Sequence, residues 1–367
     1  MSELHPLSPR RKTRQIMVGQ VPVGGDAPIP VQSMTKTDTR DVEATVAQIY
    51  SYAAAGCEIV RVSVPTKKAG EVFHEITARS PIPVVADIHF DYRMALVAAD
   101  GGAACLRINP GNIGGQDRVR AVVEKAGEKG IPIRIGVNAG SLEKEFLEKF
   151  GGHATPEAMV ESALKHLEML EREGFHDTKI SLKASDVPRT VAAYRLLSKQ
   201  VDYPLHLGIT EAGTPFGGTI RSSMGLGILL AEGIGDTLRV SLTGEGEDEA
   251  KVGHEILRGL GLREGGIRMV SCPSCGRVQI DLHKVAHEIE AGLKAINHTG
   301  ITYAVMGCVV NGPGEAREAD LGVAGGAGEG LIYRKGVLIR KVKEEDLVPA
   351  FLEEAVKYKE ELTKAGA

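Results

Sequence analysis

The chain has no tryptophan, its aromatic content is 4%, and it has only five cysteines in 367 residues. So few aromatics exclude the stacking platforms that proteins use to hold single-stranded nucleic acid. The formal net charge of −4 gives no global basic field for a nucleic-acid backbone. Five cysteines, an odd and small number, exclude a disulfide scaffold and fit a reducing compartment, so the expectation is a cytoplasmic protein whose clustered cysteines bind metal or do chemistry. No apolar run approaches the roughly 20 residues that span a bilayer. Arg10, Arg11, Lys12 and Arg14 form a basic start without a following apolar segment, which reads as a solvated, partly disordered arm rather than a signal peptide.

What the chain does have is ordinary globular material, 43% hydrophobic and 25% charged, enough for a large core. Short runs rich in Val and Ile alternate with segments apolar at helical spacing. The candidate strands are Ile29–Met34, Glu58–Val64, Val84–His89, Cys105–Asn109, Ile133–Asn138, Lys179–Lys183, Leu205–Ile209 and Leu238–Leu242. Val42–Ala55, Val119–Lys129, Pro156–Glu173 and Pro188–Lys199 are among the helices between them. Eight strand-then-helix units over about 230 residues match the size of a (β/α)8 TIM barrel, with a doubly wound open sheet as the structural alternative. Gln15–Gly25 reads as a hairpin plugging the barrel's bottom.

The texture changes after Gly265–Gly266, and the expected division is 1–264 for the barrel and 265–367 for a smaller α+β domain. The latter reads as a strand (Ile267–Ser271), a helix (Gln279–Ala295), a strand (Ile301–Val310), a hairpin (Gly330–Val342) and a final helix (Glu344–Thr363). Val323–Gly330, rich in glycine, reads as a flexible loop.

Two kinds of residue in this frame carry chemistry. Cys272 and Cys275 follow one strand of the small domain and Cys308 ends another, so three thiolates from two strand ends can converge on one point. Cys57 and Cys105 read as buried core residues. Glu315, His283, His287 and His298 are the candidates for a fourth ligand. Zinc with three Cys and one His, and an iron–sulfur cluster with Glu315, both satisfy the residues at this point.

The second kind is cationic. Arg61, Arg107, Arg134, Lys183 and Arg239 each fall within or at the end of an apolar strand. Unpaired buried charge is unfavourable, so these groups need anions. Asp87, Asp91 and Glu211 are nearby partners, but five cations exceed them and point to phosphate or diphosphate at the C-terminal mouth. Asn109 and Asn138 add neutral donors. The turn Asn109–Gly115 offers backbone N–H groups to phosphate or is only a turn. Glu211 reads as an isolated carboxylate suited to proton transfer. Asp87 and His89 fix substrate hydroxyls or form a structural pair.

The ordered motifs RVSVP (61–65), ADIHFDY (86–92), LRINPGN (106–112), RIGVN (134–138), ITEAG (209–213), SCPSCGR (271–277) and GCVVNGPGE (307–315) resemble those of the 4-hydroxy-3-methylbut-2-enyl diphosphate synthase family. The resemblance covers almost the whole chain, and the length matches the two-domain bacterial form. It implies a TIM barrel followed by an α+β iron–sulfur domain like those of sulfite and nitrite reductases. It also implies a [4Fe–4S] cluster on Cys272, Cys275, Cys308 and Glu315, and the substrate 2-C-methyl-D-erythritol 2,4-cyclodiphosphate of the methylerythritol phosphate route to isoprenoids. Electrons would come from reduced flavodoxin or ferredoxin.

On the same resemblance, the five cations grip the cyclic diphosphate, with Asp87, His89, Asn109, Asn138, Thr210 and Ser241 as further substrate contacts; a cluster beside an anion-binding barrel makes Glu211 the candidate proton donor for the leaving hydroxyl. A head-to-tail homodimer is implied, with one subunit's cluster domain covering the other's barrel mouth. The competing readings are a zinc-containing TIM-barrel lyase or transferase acting on a phosphorylated substrate, and an electron carrier whose barrel is a docking scaffold. The second of these leaves the five cations unexplained.

Overall fold

A computed structural model describes residues 7–296, 300–308, 312–326 and 328–365. His298 and the expected strand end at Val309–Val310 lie outside the described residues. The chain divides into two compact units, Met1–Arg263 and Glu264–Ala367.

In the first unit, six parallel strands run in sequence order from Gln32–Met34 to Thr178–Lys183. Two further parallel pieces, His206–Leu207 and Thr237–Leu238, pair with each other. Parallel bridges from Ile180 to Leu205 and from Val31 to Leu238 join the two sets. The eight segments therefore return on themselves as a barrel. The last two strands keep only two ladder residues each, shorter than the runs Leu205–Ile209 and Leu238–Leu242 suggested.

Side chains alternate across each strand. One set (Val60, Val62, Ala86, Leu106, Ile108, Ile135, Ile180, Leu182) packs in the main core with the helices. The other set carries the charges. Register aligns Asp87, Arg107, Arg134 and Lys179 in one row across four adjacent strands. Helices restart after strands at short polar residues: Asp41, Thr66, Asp91, Thr155 and Asp186 each accept a backbone N–H of the first turn.

The hairpin forms as expected, Gln15–Val18 against Val21–Gly24. Its Ile16, Val18 and Val23 pack on Ile59, Val85 and Cys105 near the N-terminal ends of three barrel strands, which makes it a floor. The basic start is not a solvated arm. Arg10 donates to the Ala27 carbonyl at 2.6 Å and pairs with Asp236, Arg11 donates to the Tyr203 carbonyl at 2.6 Å, and Arg14 pairs with Asp202 at 2.9 Å. Asp236 is almost wholly buried and needs these counter-charges, a demand no local pattern around residue 10 reveals.

The second unit is a five-stranded mixed sheet: Ile267–Ser271, Ile301–Met306 and Leu321–Gly326 are parallel, and Glu329–Arg334 and Val337–Lys343 continue antiparallel. Leu282–Ile296 and Leu347–Ala365 contribute to the core on one face. Gly312–Glu318 packs on the other through Ala316. The glycine-rich stretch read as a loop is largely strand, and Leu321–Gly326 is buried throughout. Its glycines serve close approach rather than flexibility. A β-carbon at Gly322 would lie 2.5 Å from the Ala316 carbonyl, and one at Gly325 would lie 2.4 Å from Ile280.

Candidate active site

Arg61, Asp87, His89, Arg107, Arg134, Asn138, Lys183, Thr210, Arg239 and Ser241, all expected from the sequence, line one cavity at the C-terminal ends of the barrel strands, together with Ser181. Asn109 is buried beside this set and caps the short helix Pro110–Ile113, its Oδ1 accepting the Gly111 N–H at 3.2 Å. The Asn109–Gly115 stretch is thus a capped helical turn. Glu211 is exposed and does not line the cavity.

Asp87 is the cavity's central anion. Arg107 Nη1 reaches its Oδ1 at 3.2 Å, while Arg61 Nε at 3.7 Å and His89 Nε2 at 3.5 Å face Oδ2. Burial pushes its carboxyl up, but Arg61, Arg107, His89 and Arg134 outweigh this and hold it at about 2. Asp91, a candidate partner, instead caps Tyr92–Asp100 and pairs with Arg93 at 2.8 Å.

A second carboxylate, Glu249, was not singled out from the sequence. It is buried on helix Gly246–Gly259, accepts Ser33 Oγ at 2.8 Å and the Leu242 N–H at 3.1 Å, and faces Arg239 Nε and Lys36 Nζ at 3.5 Å each. The signal was its spacing: Glu249, Gly253 and Ile256 fall on one helical stripe.

Five basic side chains thus share two carboxylates. Arg107 Nη2 also donates to the Gly136 carbonyl at 3.3 Å, and the other contacts are weaker acceptors. Arg61 donates to the Met34 sulfur at 2.7 and 3.0 Å, Arg239 approaches the same sulfur at 3.5 Å, and Arg134 donates to Ser181 Oγ at 3.1 Å. Among the described residues, Arg107 Nε, Arg239 Nε, and Arg134 Nε and Nη2 have no hydrogen-bond acceptor. Burial, then the neighbouring Arg107, push the Arg134 guanidinium down to about 10 against the pull of Asp87. Such crowding of like charge at low exposure favours an anion near it.

Two glycines make the crowding sterically feasible. A β-carbon at Gly136 would lie 2.5 Å from Arg107 Nε, and one at Gly208 would lie 2.8 Å from Lys183 Nζ. Each gives up its side-chain volume on the inner face to a cation from the adjoining strand.

Glu211 sits in the left-handed region, φ 52°, which a non-glycine residue adopts only when its surroundings fix it. They do: the Thr210 N–H bonds the Ala184 carbonyl at 3.1 Å, Arg221 Nη1 bonds the Ala212 carbonyl at 2.5 Å, and the Thr243 N–H bonds the Gly213 carbonyl at 2.9 Å.

In the second unit, Cys272 directly follows strand Ile267–Ser271, its N–H bonded to the Val305 carbonyl at 3.1 Å. Ser274, φ 70°, turns the chain so that Cys275 is exposed, and the Val278 N–H returns to the Cys275 carbonyl at 3.0 Å. Cys308 is buried just past the neighbouring strand. Arg277 hydrogen-bonds Cys275 through backbone and side chain and lowers its thiol, against a smaller opposing effect of Cys308. All three thiols raise the Arg277 guanidinium in turn, Cys275 most. Glu315 is exposed in the first turn of Gly312–Glu318.

His283 and His287 stack on each other, centroids 6.5 Å apart, with His287 Nδ1 2.7 Å from the His283 carbonyl oxygen. Cys57 and Cys105 are buried in the first unit, as expected. Among the described residues, no three His, Cys, Asp or Glu side chains are grouped so as to hold a metal ion. The same residues contain no helix long and apolar enough to cross a membrane.

A parallel barrel with a cationic cavity at its C-terminal mouth, joined to a separately packed thiol-bearing α+β unit, defines a two-domain enzyme for an anionic small molecule. The chain belongs to the GcpE family: residues 13–254 match the GcpE TIM-barrel domain and residues 268–357 the GcpE protein C-terminal domain. A relative from Geobacter sulfurreducens, named 4-hydroxy-3-methylbut-2-en-1-yl diphosphate synthase (flavodoxin), is 63% identical over 348 residues, covering 95% of this chain and 98% of the relative. One of the same name from Maridesulfovibrio salexigens is 59% identical over 346 residues, covering 94% and 96%.

Among solved structures, N-acetylneuraminic acid synthetase from Leptospira borgpetersenii serovar Hardjo-bovis matches 70% of this chain and 91% of its own, with TM-score 0.51 and 12% identity, a likeness of fold alone. The family supports the diphosphate synthase reading over the zinc lyase.

Proposed function

We propose that this chain catalyses the reductive ring opening and dehydration of 2-C-methyl-D-erythritol 2,4-cyclodiphosphate to (E)-4-hydroxy-3-methylbut-2-enyl diphosphate, in isoprenoid precursor biosynthesis in the cytoplasm. The observation that carries it is the excess of five basic cavity side chains over two carboxylates in a chain of this family. Arg61, Arg107, Arg134, Lys183 and Arg239 bind the two phosphates, and their donors lacking strong acceptors supply the hydrogen bonds. Asn138, Thr210, Ser241 and the Asn109 amide add neutral donors. Asp87, held ionised by Arg61 and Arg107, accepts a substrate hydroxyl, with His89 beside it. Glu211, exposed outside this cavity on a loop whose backbone is held at Thr210, Ala212 and Gly213, delivers a proton to the departing hydroxyl.

The thiol set fits a [4Fe–4S] cluster: three cysteines from neighbouring strand ends act on one guanidinium, and Arg277 favours the thiolate of Cys275. Cys272, Cys275, Cys308 and Glu315 would hold it. When bound, it supplies single electrons and, at the iron carrying the harder carboxylate, Lewis acidity. Reduced flavodoxin is the expected donor, with ferredoxin as the alternative. A head-to-tail homodimer belongs to the same reading, and its check is the mass in solution.

The test is anaerobic purification with iron, sulfide and zinc measured per chain, followed by turnover of the cyclic diphosphate under reducing conditions. Iron and sulfide with product formation are expected. Zinc without sulfide, or cluster-loaded protein inert toward the cyclic diphosphate, would overturn the proposal.

A further inference from the structure

Lys183 differs from the cavity's arginines in being able to lose its proton. It ends strand Thr178–Lys183, is almost wholly buried, and no carboxylate among the described residues pairs with it. Its Nζ lies in the space left by Gly208, 3.3 Å from Nε2 of His206, a fully buried residue whose Nδ1 has no partner among the described residues.

The surroundings are cationic from every side. Arg134 faces Lys183 from strand Ile133–Asn138, Arg107 from Cys105–Ile108, Arg61 from Ile59–Ser63, and Arg239 from the chain after Thr237–Leu238. Asn138 is its register partner, and Lys179 acts on His206 from the same strand as Lys183. The carboxylates of this region are taken: Asp87 by Arg107, Arg61 and His89, and Glu249 by Arg239 and Lys36. Burial first, and then Arg134, Arg239, Arg61 and Arg107, push the Lys183 ammonium well below the ordinary lysine range. Burial and Lys183 push His206 down likewise.

We propose that Lys183 and His206 are both neutral while the cavity is empty, and that entry of the anionic phosphates draws a proton from solvent onto Lys183 Nζ. The N–H bond formed is the only covalent change, and the proton's source is water or buffer. An anion among the guanidinium groups reverses the local field, so the protonated amine becomes the favoured form. By reciprocity, protonation favours the ligand, and affinity falls as pH rises through the window between the empty-site and occupied-site titrations. This rests on the diphosphate reading above and adds to it that substrate binding is proton-linked through one named side chain.

The experiment is calorimetric titration of the full chain with the cyclic diphosphate, repeated in buffers of different ionisation enthalpy over about pH 6 to 9, a range that includes the physiological region. Both phosphates of that ligand are diester-like and carry no proton to exchange there, and sulfate serves as a second probe with the same property. Net uptake of up to one proton per ligand is expected, with affinity falling by up to tenfold per pH unit. Lys183→Arg, permanently charged, should bind with the uptake lost. Lys183→Met, permanently neutral, should lose it too and serves if the arginine misfolds. His206→Gln should move the midpoint of uptake.

Binding of either probe to the wild type without uptake, or undiminished uptake in Lys183→Arg, would overturn the proposal. An unmoved midpoint in His206→Gln would remove His206 from it. If sulfate binds with uptake but the cyclic diphosphate does not bind, the substrate reading fails and the proton linkage stands.

Discussion

The guanidinium of Arg107 occupies the place of a side chain that Gly136 does not have. A β-carbon on Gly136 would lie 2.5 Å from Arg107 Nε, and Arg107 Nη2 donates to the Gly136 carbonyl at 3.3 Å. Arg107 reaches Asp87 at 3.2 Å from this position. Gly136→Ala should therefore displace Arg107 from Asp87 and raise KM for the cyclic diphosphate by about tenfold or more, the equivalent of one charge-assisted hydrogen bond. Steady-state kinetics check it, and an unchanged KM would show that Arg107 adjusts freely.

Asp87 restrains cations that otherwise repel one another. Its folded-state carboxyl titrates at about 2, below the ordinary value of 3.8, so its stabilisation is present above about pH 4 and is lost as pH falls through 2. Asp87→Asn should lower stability at neutral pH by about 3 kcal/mol, in line with a broken buried pair. Sulfate should raise the Tm of this variant more than that of the wild type, because the anion replaces the missing charge. Equal shifts would contradict the charge ledger of the cavity.

Lys179 is fully buried, lies in the same row as Asp87, Arg107 and Arg134, and its Nζ has no hydrogen-bond partner among the described residues. Burial pushes its ammonium down to about 8, with Cys105 opposing and Arg134 adding to the shift. Between pH 8 and 10.5 the unfolded chain binds more protons than the folded one, so stability rises with pH across that window, and the penalty is fully present below 8. Lys179→Met should stabilise the protein at pH 7 by about 1–3 kcal/mol and flatten this rise. Chemical denaturation at pH 7 and 9.5 measures both effects.

Cys275→Ser should abolish visible cluster absorption and turnover while leaving sulfate binding to the barrel intact, since the thiols and the cavity belong to separately packed units. Loss of sulfate binding as well would show that the two units do not fold independently.

Glu211→Gln should keep the cluster and substrate affinity and lower kcat by about 100-fold or more, the usual scale of a lost general acid. Unaltered turnover would transfer the protonation role to another group.

Much of this architecture was readable because period-two and helical spacings report directly on burial. The cations stood out for the same reason, as charges interrupting apolar strands. What escaped depends on distance in space rather than along the chain. Glu249 pairs with Arg239 only because helix Gly246–Gly259 folds back toward the chain after Thr237–Leu238, and Met34 meets Arg61 only across the barrel's first strand pair. The basic start was misread because its main anion, Asp236, is more than 200 residues away. The strand Leu321–Gly326 was misread because glycine signals both turns and tight packing, and only the neighbours Ala316 and Ile280 distinguish them. Glu211 was legible as a carboxylate at a strand end, but not its left-handed backbone.

The charge of the cavity has a kinetic consequence. On the proposed reaction, a product carrying more charge than its substrate would be held by the same basic side chains, and would compete with the next substrate for them.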